Sequence, residues 1–484
     1  MAEHMIKVEK WDIFEEKFKG PQKGNPFIDV SLVAVFKHEK SKIEVEGFYD
    51  GDGIYKIRMM PEYEGEWSYT TTSNYPELDK IEGQFNVIKA SNNNHGIIKV
   101  HNTYHFVYTD GTLYYPMGTT CYAWIYQNDK LQERTLQTLK NAAFNKIRMC
   151  VFPKHYDYNH NEPSRYPFEG SLESGFDFTR FKPEFFRHLE MRILELQKLG
   201  IECDLILFHP YDRWGFCDMG RENDDRYVRY VIARLAAFRN IWWSVANEFD
   251  LMVSKKEKDW DRFFHIMQRY DAYQHLKSIH NCKKIYDHSK PWITHCSLQA
   301  QEPYKIKNYM EKWRTVSKKP VVIDECAYEG NINHGWGNIS GQEMTRRFWE
   351  GTLRGAYVGH GETYMHPEEI LWWSHGGELY GTSPTRIAFL KKVLEEGPEE
   401  GLSPIKYAWD VLCGGVEGKY YIFYFGLNRP SFVEFKLPDG IKYKVQIIDT
   451  WEMTINELRG IFQGDFKINM PGKEYIAVRA ISIE

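Results

Sequence analysis

Between about residue 97 and residue 400 the chain repeats one pattern, a short apolar run followed by a longer amphipathic stretch. The runs are YYPMGTTC (114–121), NKIRMCVF (145–152), ECDLILF (202–208), IWWSVA (241–246), KSIH (277–280), WITH (292–295), PVVID (320–324) and AYVGH (356–360). Runs of this length without polar alternation read as strands covered on both faces, as in a parallel sheet. The stretches between them carry helical spacing. In EFFRHLEMRILELQKLG, Phe185, Leu189, Ile193 and Leu196 recur at intervals of three and four, and Gly200 supplies the stop. Eight such strand–helix repeats over about 300 residues predict a (β/α)8 TIM barrel, because an open doubly wound sheet seldom has so many. KSIH and WITH are the shortest of the eight.

The pattern changes on both sides of this region. From residue 6 to about 90, short alternating runs such as SLVAVFKH and YKIRMM are broken by turns at Asp50-Gly51-Asp52-Gly53 and Glu64-Gly65. The polar run SNNNH (91–95) ends the segment. After about 403 the strands KYYIFYFG, FVEFKL, YKVQIID, FKINM and EYIAVRAIS follow, with turns at Pro438-Asp439-Gly440 and Pro471-Gly472. The sequence therefore predicts an α/β chain of three units. These are an N-terminal β-sandwich (1–92), a (β/α)8 barrel (93–402) and a small C-terminal β-sandwich (403–484).

A net charge of −5 gives no basic footprint for nucleic acid or an anionic membrane surface. No stretch reaches the roughly 18 consecutive apolar residues of a membrane span. The opening MAEHMIKVEKWDIFEE has no apolar core of a signal peptide. The 8 cysteines (121, 150, 203, 217, 282, 296, 326 and 413) are scattered and form no C-x-x-C. Reduced thiols in a cytoplasmic protein are the expectation. Aromatic residues reach 16%, with 15 Trp and 32 Tyr, enough to line a sugar cleft as well as to fill three cores.

In such a barrel, polar residues just after each strand share one mouth. The tips gather Arg148 on strand 2, His209 with Asp212 and Trp214 on strand 3, and Asn247 and Glu248 on strand 4. Strand 5 offers His280 and Asn281, strand 6 His295, strand 7 Asp324 and Glu325, and strand 8 His360 and Glu362, followed by Trp373 and His375. In NIWWSVANEFD (240–250) an apolar strand ends abruptly in Asn247 and Glu248. Desolvating a carboxylate is costly unless it is paired or put to use, so this tip is expected to open into a cleft. Strands 4 and 7 lie across the mouth from each other, and two facing carboxyl groups are what a glycosidase needs. Strand alternation allows only one of Asp324 and Glu325 to point inward. Trp214, Trp336 and Trp373 are candidate stacking platforms, and the loop NINHGWGN (331–338) a candidate lid.

These motifs resemble clan A of the glycoside hydrolases, the cellulase-like (β/α)8 enzymes. The carriers are SVANEFD, PVVIDECAYEG and the Arg148 of NKIRMCVF, and the layout of β domain, barrel and β domain is similar to apiosidase-like and family 5-like proteins. The resemblance implies a retaining mechanism with Glu248 as acid/base and Glu325 as nucleophile. It implies that Asn247 binds the sugar 2-hydroxyl and that His295 helps position Glu325. Arg148 would hold Glu325 ionised, and that charge would keep Glu248 protonated as the general acid. A strand-6 Tyr often stands beside the nucleophile in the family; here Tyr328 and Tyr364 are the substitutes nearest in sequence. The expected partner is an oligosaccharide or small glycoside, with no metal, cofactor, nucleic acid or membrane. The β domains stabilise the barrel, close its cleft or build a homo-oligomer interface. Two rival functions fit the same composition. One is a metal-dependent barrel isomerase or hydrolase using His209, His280, His295, Glu248 and Glu325, although no H-x-H or H-E-x-x-H is present. The other is a non-catalytic carbohydrate-binding protein.

Overall fold

The computed structural model describes residues 6–368 and 370–483. At its centre are eight parallel strands, β1 (Gly118–Thr120), β2 (Lys146–Cys150), β3 (Glu202–Phe208), β4 (Ile241–Ala246), β5 (Lys277–Ser278), β6 (Cys296–Gln299), β7 (Val321–Glu325) and β8 (Ala356–His360). They run in the order β5-β4-β3-β2-β1-β8-β7-β6, and a parallel bridge from His280 to Ser297 joins the two ends into a barrel. Outside lie α1 (Asp129–Asn141), α2 (Pro183–Lys198), α3 (Arg221–Leu235), α4 (Glu257–Tyr270), α5 (Lys305–Ser317), α6 (Gly341–Leu353) and α7 (Ser383–Glu395). The stretch at 185–196 is α2, with Phe185, Leu189, Ile193 and Leu196 buried and Gly200 left-handed (φ 71°) just past its end.

The barrel departs from the sequence reading in three places. No helix joins β5 to β6; irregular chain fills that crossover. The first run is split, because Leu113–Tyr114 belongs to a three-stranded meander with Ile98–His101 and His105–Tyr108. That meander closes the N-terminal end of the barrel, where Phe106 and Tyr114 pack on Trp242 with ring centres 5.0 and 6.0 Å apart. The third departure is at β6, which starts after WITH rather than within it, so His295 precedes the strand instead of ending it.

The N-terminal segment folds into a five-stranded sheet (Ile6–Glu9, Glu82–Ile88, Gly65–Ser73, Leu32–His38, Ser41–Glu46) facing a three-stranded one (Phe14–Lys19, Ile54–Met59, Phe48–Tyr49). Phe14, Phe36, Tyr69 and Phe85 interlock between them. The C-terminal segment has a six-stranded sheet beside a two-stranded one, with its own core of Phe423, Phe435, Tyr443 and Val478. It meets the barrel through the Trp349–Tyr424 stack and the Arg479–Glu396 ion pair at 2.9 Å. Among the described residues no helix is long and apolar enough to cross a membrane.

Candidate active site

Glu248 follows β4 in the left-handed region (φ 49°, ψ 49°), a conformation that a non-glycine residue adopts at a cost of about 1–2 kcal/mol. Its neighbours explain why it stays there. The Asn247 N–H donates to the Phe208 carbonyl of β3 at 2.9 Å, and the Phe249 N–H donates to the His280 carbonyl at 3.0 Å. With the chain pinned on both sides, the turn at Glu248 delivers both Asn247 and Glu248 into the mouth. Tyr211, two residues past the His209 that follows β3, donates its hydroxyl to Glu248 Oε2.

Glu325 reaches the mouth by a different device. Along β6 and β7 Leu298 pairs with Ile323 but Gln299 pairs with Glu325, so Asp324 is an extra residue on β7. A bulge of this kind breaks alternation and re-aims a side chain. Asp324 and Glu325 consequently both face the barrel interior, which corrects the expectation that only one of them could. They sit at different depths. Asp324 lies deeper, 2.8 Å from Lys146 Nζ, in a layer where Lys146 also meets Asp204 at 2.6 Å. Burial opposes its charge, yet Lys146 and Arg148 hold Asp324 well below the usual carboxylate range. Arg148 is divided among Asp204 (3.4 Å), Asp324 (3.8 Å) and Glu325 (3.9 Å).

Above this layer the two glutamates are tied by shared partners. Gln299 Nε2 is 3.5 Å from Glu248 Oε1 and 3.2 Å from Glu325 Oε2, which caps the separation of those two oxygens at 6.7 Å. Tyr122, two residues past β1, donates to Glu325 Oε1 and lies 3.2 Å from Asn247 Oδ1. Asn247 Nδ2 in turn is 3.4 Å from Glu248 Oε2. Burial and the facing Glu248 carboxylate push Glu325 up to about 7, against Arg148, the Tyr122 hydroxyl and Lys154. Arg148 thus acts in the expected direction, but it does not outweigh burial and Glu248. The dry site and the facing carboxylate both work against charge on Glu325, which therefore gives up its proton late.

A family model described as "Apiosidase-like, catalytic domain" matches residues 100–393, more than half of the chain. The chain belongs to the apiosidase-like family. Models described as domains of unknown function, DUF5060 and DUF5605, match residues 7–74 and 409–481. No functionally curated protein matches the chain. Among solved structures, a protein from Bacteroides vulgatus ATCC 8482, solved as a candidate glycoside hydrolase, is 41% identical with a TM-score of 0.95. The alignment covers 99% of this chain and 100% of that one. A second structure, described as a glycoside hydrolase, has 14% identity and a TM-score of 0.62 over 80% of this chain and 97% of its own. A glycoside hydrolase family 5 protein from the same B. vulgatus strain has 13% identity and a TM-score of 0.62 over 80% and 93%. These last two share the fold.

In this apiosidase-like barrel the aromatic wall of the mouth is Trp373 with Tyr122, Tyr156, Tyr328 and Trp336 at ring distances of 5.0 to 6.0 Å. The 331–338 loop meets the segment after β2 here: Tyr158 donates to Asn333 Oδ1 at 3.1 Å, and His334 stacks on Trp336. Trp336, Trp373 and Tyr328 are thus gathered with Asn247, Glu248 and Glu325, while Arg148 supports them from below. Tyr364 is turned away, onto Glu329.

Other predicted residues are not at the mouth. His295 lies at the closed end of the barrel, its ring 5.2 Å from Trp242 and 5.9 Å from Phe106, so it cannot position Glu325. Gln299 holds the strand-6 position assigned to it. Asp212 is consumed by its own loop, accepting from the Trp214 and Cys217 amides at 2.8 and 2.7 Å. Trp214 stacks on Phe216 and donates to Glu162, packing the loop rather than offering a platform. His209 is buried scaffold, its Nε2 3.2 Å from the Phe152 carbonyl, and burial pushes its ring down to about 4. His280 is wholly buried inside the barrel beside Arg148 and Asp324, and burial holds it well below the ordinary histidine range. Among the described residues no three His, Cys, Asp or Glu converge to hold a cation. The missed residues are Tyr122, Lys154, Tyr211 and Gln299. The strand-tip rule reaches Tyr122 and Tyr211, each two residues past a strand or its terminal histidine, and it reaches Gln299 once β6 is placed correctly. Lys154 carries no such signal.

Proposed function

We propose that this chain is a retaining O-glycoside hydrolase acting on a short oligosaccharide or small glycoside, with Glu325 as nucleophile and Glu248 as acid/base. The observation that carries the reading is the carboxylate pair, capped at 6.7 Å between the oxygens that Gln299 bridges. That bound admits the spacing of about 5–5.5 Å found in retaining enzymes and only the lower edge of the roughly 6.5–9.5 Å that inverting ones need to admit a water. The likeness to a B. vulgatus protein solved as a candidate glycoside hydrolase supports the same class.

The roles follow from the partners. Tyr122 and Arg148 both favour charge on Glu325 against burial and the facing Glu248, and the mechanism requires the form in which Glu325 is the carboxylate and Glu248 carries the proton. Glu325 attacks the anomeric carbon while Glu248 gives its proton to the leaving oxygen. Glu248, now a carboxylate, then takes a proton from the water that hydrolyses the glycosyl ester. Tyr211 orients Glu248 for both steps. Asn247, held by Tyr122, presents its amide to the sugar 2-hydroxyl. Cytoplasmic action on imported small glycosides belongs to the same proposal, supported by eight scattered cysteines that are all unpaired.

The test is release of nitrophenol from a panel of α- and β-linked aryl glycosides. Wild type should cleave at least one member. Glu325→Gly should lose that turnover and regain it with azide, yielding a glycosyl azide of inverted configuration. Unaltered turnover in Glu325→Gly would overturn the assignment.

A further inference from the structure

Lys154 lies in the segment after β2 and is 3% exposed. Its Nζ stands 3.7 Å from the ring centre of Tyr122, 4.4 Å from Tyr211, 4.6 Å from Tyr156 and 5.5 Å from Trp373. Two of these rings belong to the tyrosines that donate to Glu325 and Glu248. The ammonium is therefore lodged at the carboxylate pair, yet it comes within 4.0 Å of neither carboxylate and has no acceptor among the described residues. The other buried lysines all have acceptors. Lys56 meets Asp50 at 2.8 Å, Lys146 meets Asp204 and Asp324, Lys255 meets Asp224 at 2.7 Å, and Lys277 meets Gln274 Oε1 at 3.1 Å.

Burying an ammonium without a carboxylate in direct contact is costly, and aromatic faces offset only part of that cost. The charges below do not call on Lys154, since Lys146 and Arg148 are already matched by Asp204 and Asp324. A lysine meant only to hold Glu325 ionised would do so best in direct contact. Held instead by π faces, it keeps three N–H donors and a compact charge ready for an incoming group, at no cost of reorganisation.

We propose that Lys154 anchors an anionic substituent of the substrate, so that the sugar bound at Glu248 and Glu325 carries a carboxylate or a phosphate. The proposal rests on the glycosidase reading of that pair. A point charge serves either anion, and the arms of the experiment separate them.

Calorimetry of wild type, Lys154→Met and Lys154→Arg would compare glucose and galactose with their uronic acids and their 6-phosphates. Turnover of the matching aryl glycosides would be measured beside it. Wild type is expected to bind one acidic form at least tenfold more tightly than its neutral parent, with the margin shrinking as salt is raised. Lys154→Met should lose that margin and Lys154→Arg should keep part of it. A preference for the uronate or for the 6-phosphate names the anion. Equal affinity for acidic and neutral forms, binding of none of the acidic sugars, or a margin that survives in Lys154→Met would each overturn the proposal. Charge preference in binding without turnover of any glycoside would instead overturn the glycosidase reading and leave the anchor standing.

Discussion

A carboxylic acid buried opposite a second one gives up its proton late, and Glu325 is pushed from 4.5 up to about 7 by burial and by Glu248. In the proposed mechanism the singly protonated pair is the active form, so kcat/KM is expected to fall as pH rises above about 7 and this last proton leaves. Tyr122→Phe removes a donor to the carboxylate, which raises the Glu325 value further. Its alkaline limb should therefore move to higher pH while kcat drops by about 10- to 100-fold, the worth of a hydrogen bond to a charged group. A pH–rate profile of the two proteins checks both effects, and coincident alkaline limbs would exclude a hydrogen bond that matters. The same raised value bears on stability. A carboxyl whose folded value lies above its unfolded value stabilises the fold fully below the unfolded value, and that contribution is lost as pH rises through the folded one. Between 4.5 and about 7 the loss amounts to about 3 kcal/mol. Glu325→Gln should match wild type in urea at pH 4.5 and exceed it by up to that amount at pH 8. An equal difference at both pH values would show that the group does not titrate as described.

At the scale of elements, two local irregularities build the pair, a left-handed residue after β4 and a bulge in β7. The bulge leaves little room beside it. A Cβ added at Gly359 of β8 would stand 2.7 Å from the Asp324 carbonyl oxygen, so the backbone of β7 or β8 must yield. Gly359→Ala is expected to cost about 1–3 kcal/mol and to lower kcat by displacing Glu325. Thermal melts and steady-state kinetics of that variant test the coupling; an unchanged melt with an unchanged rate would mean that the bulge is not held from β8. The element pattern was largely legible beforehand: strands β1, β2, β3, β4, β5 and β8 lie in the predicted runs, β7 overruns its own by Glu325, and α2 ends where Gly200 stops it. WITH misled because Ile293 and Thr294 are β-branched and mimic a strand, whereas the paired residues are Cys296–Gln299. That slip placed His295 at the mouth and hid Gln299.

In the whole molecule the N-terminal sandwich is fastened to the back of the barrel by buried charge. Glu190 of α2 lies 2.8 Å from Arg58 of the sandwich and 2.5 Å from Arg234 of α3, and Arg234 also meets Asp50 of the sandwich at 2.8 Å. Burial alone would raise Glu190; the two guanidinium groups hold it below its ordinary value. Glu190→Ala leaves both arginines buried with half their anions gone, a change expected to cost about 3–5 kcal/mol. It should also split a single thermal transition into two by freeing the sandwich from the barrel. Scanning calorimetry of the variant decides, and an unshifted single peak would show that apolar contact holds the two parts together.

The sequence by itself determined the barrel, the flanking β segments and the presence of Asn247, Glu248 and Glu325 at strand tips. Apolar period and the stops that follow it are local properties, readable one element at a time. Tertiary structure alone decided which side chains meet there. Tyr122, Tyr211 and Gln299 come from the ends of three different strands, and Lys154 from the segment after β2. Their convergence depends on the register of β6 against β7 and on the chain pinned across Glu248, and both are set by partners distant in sequence.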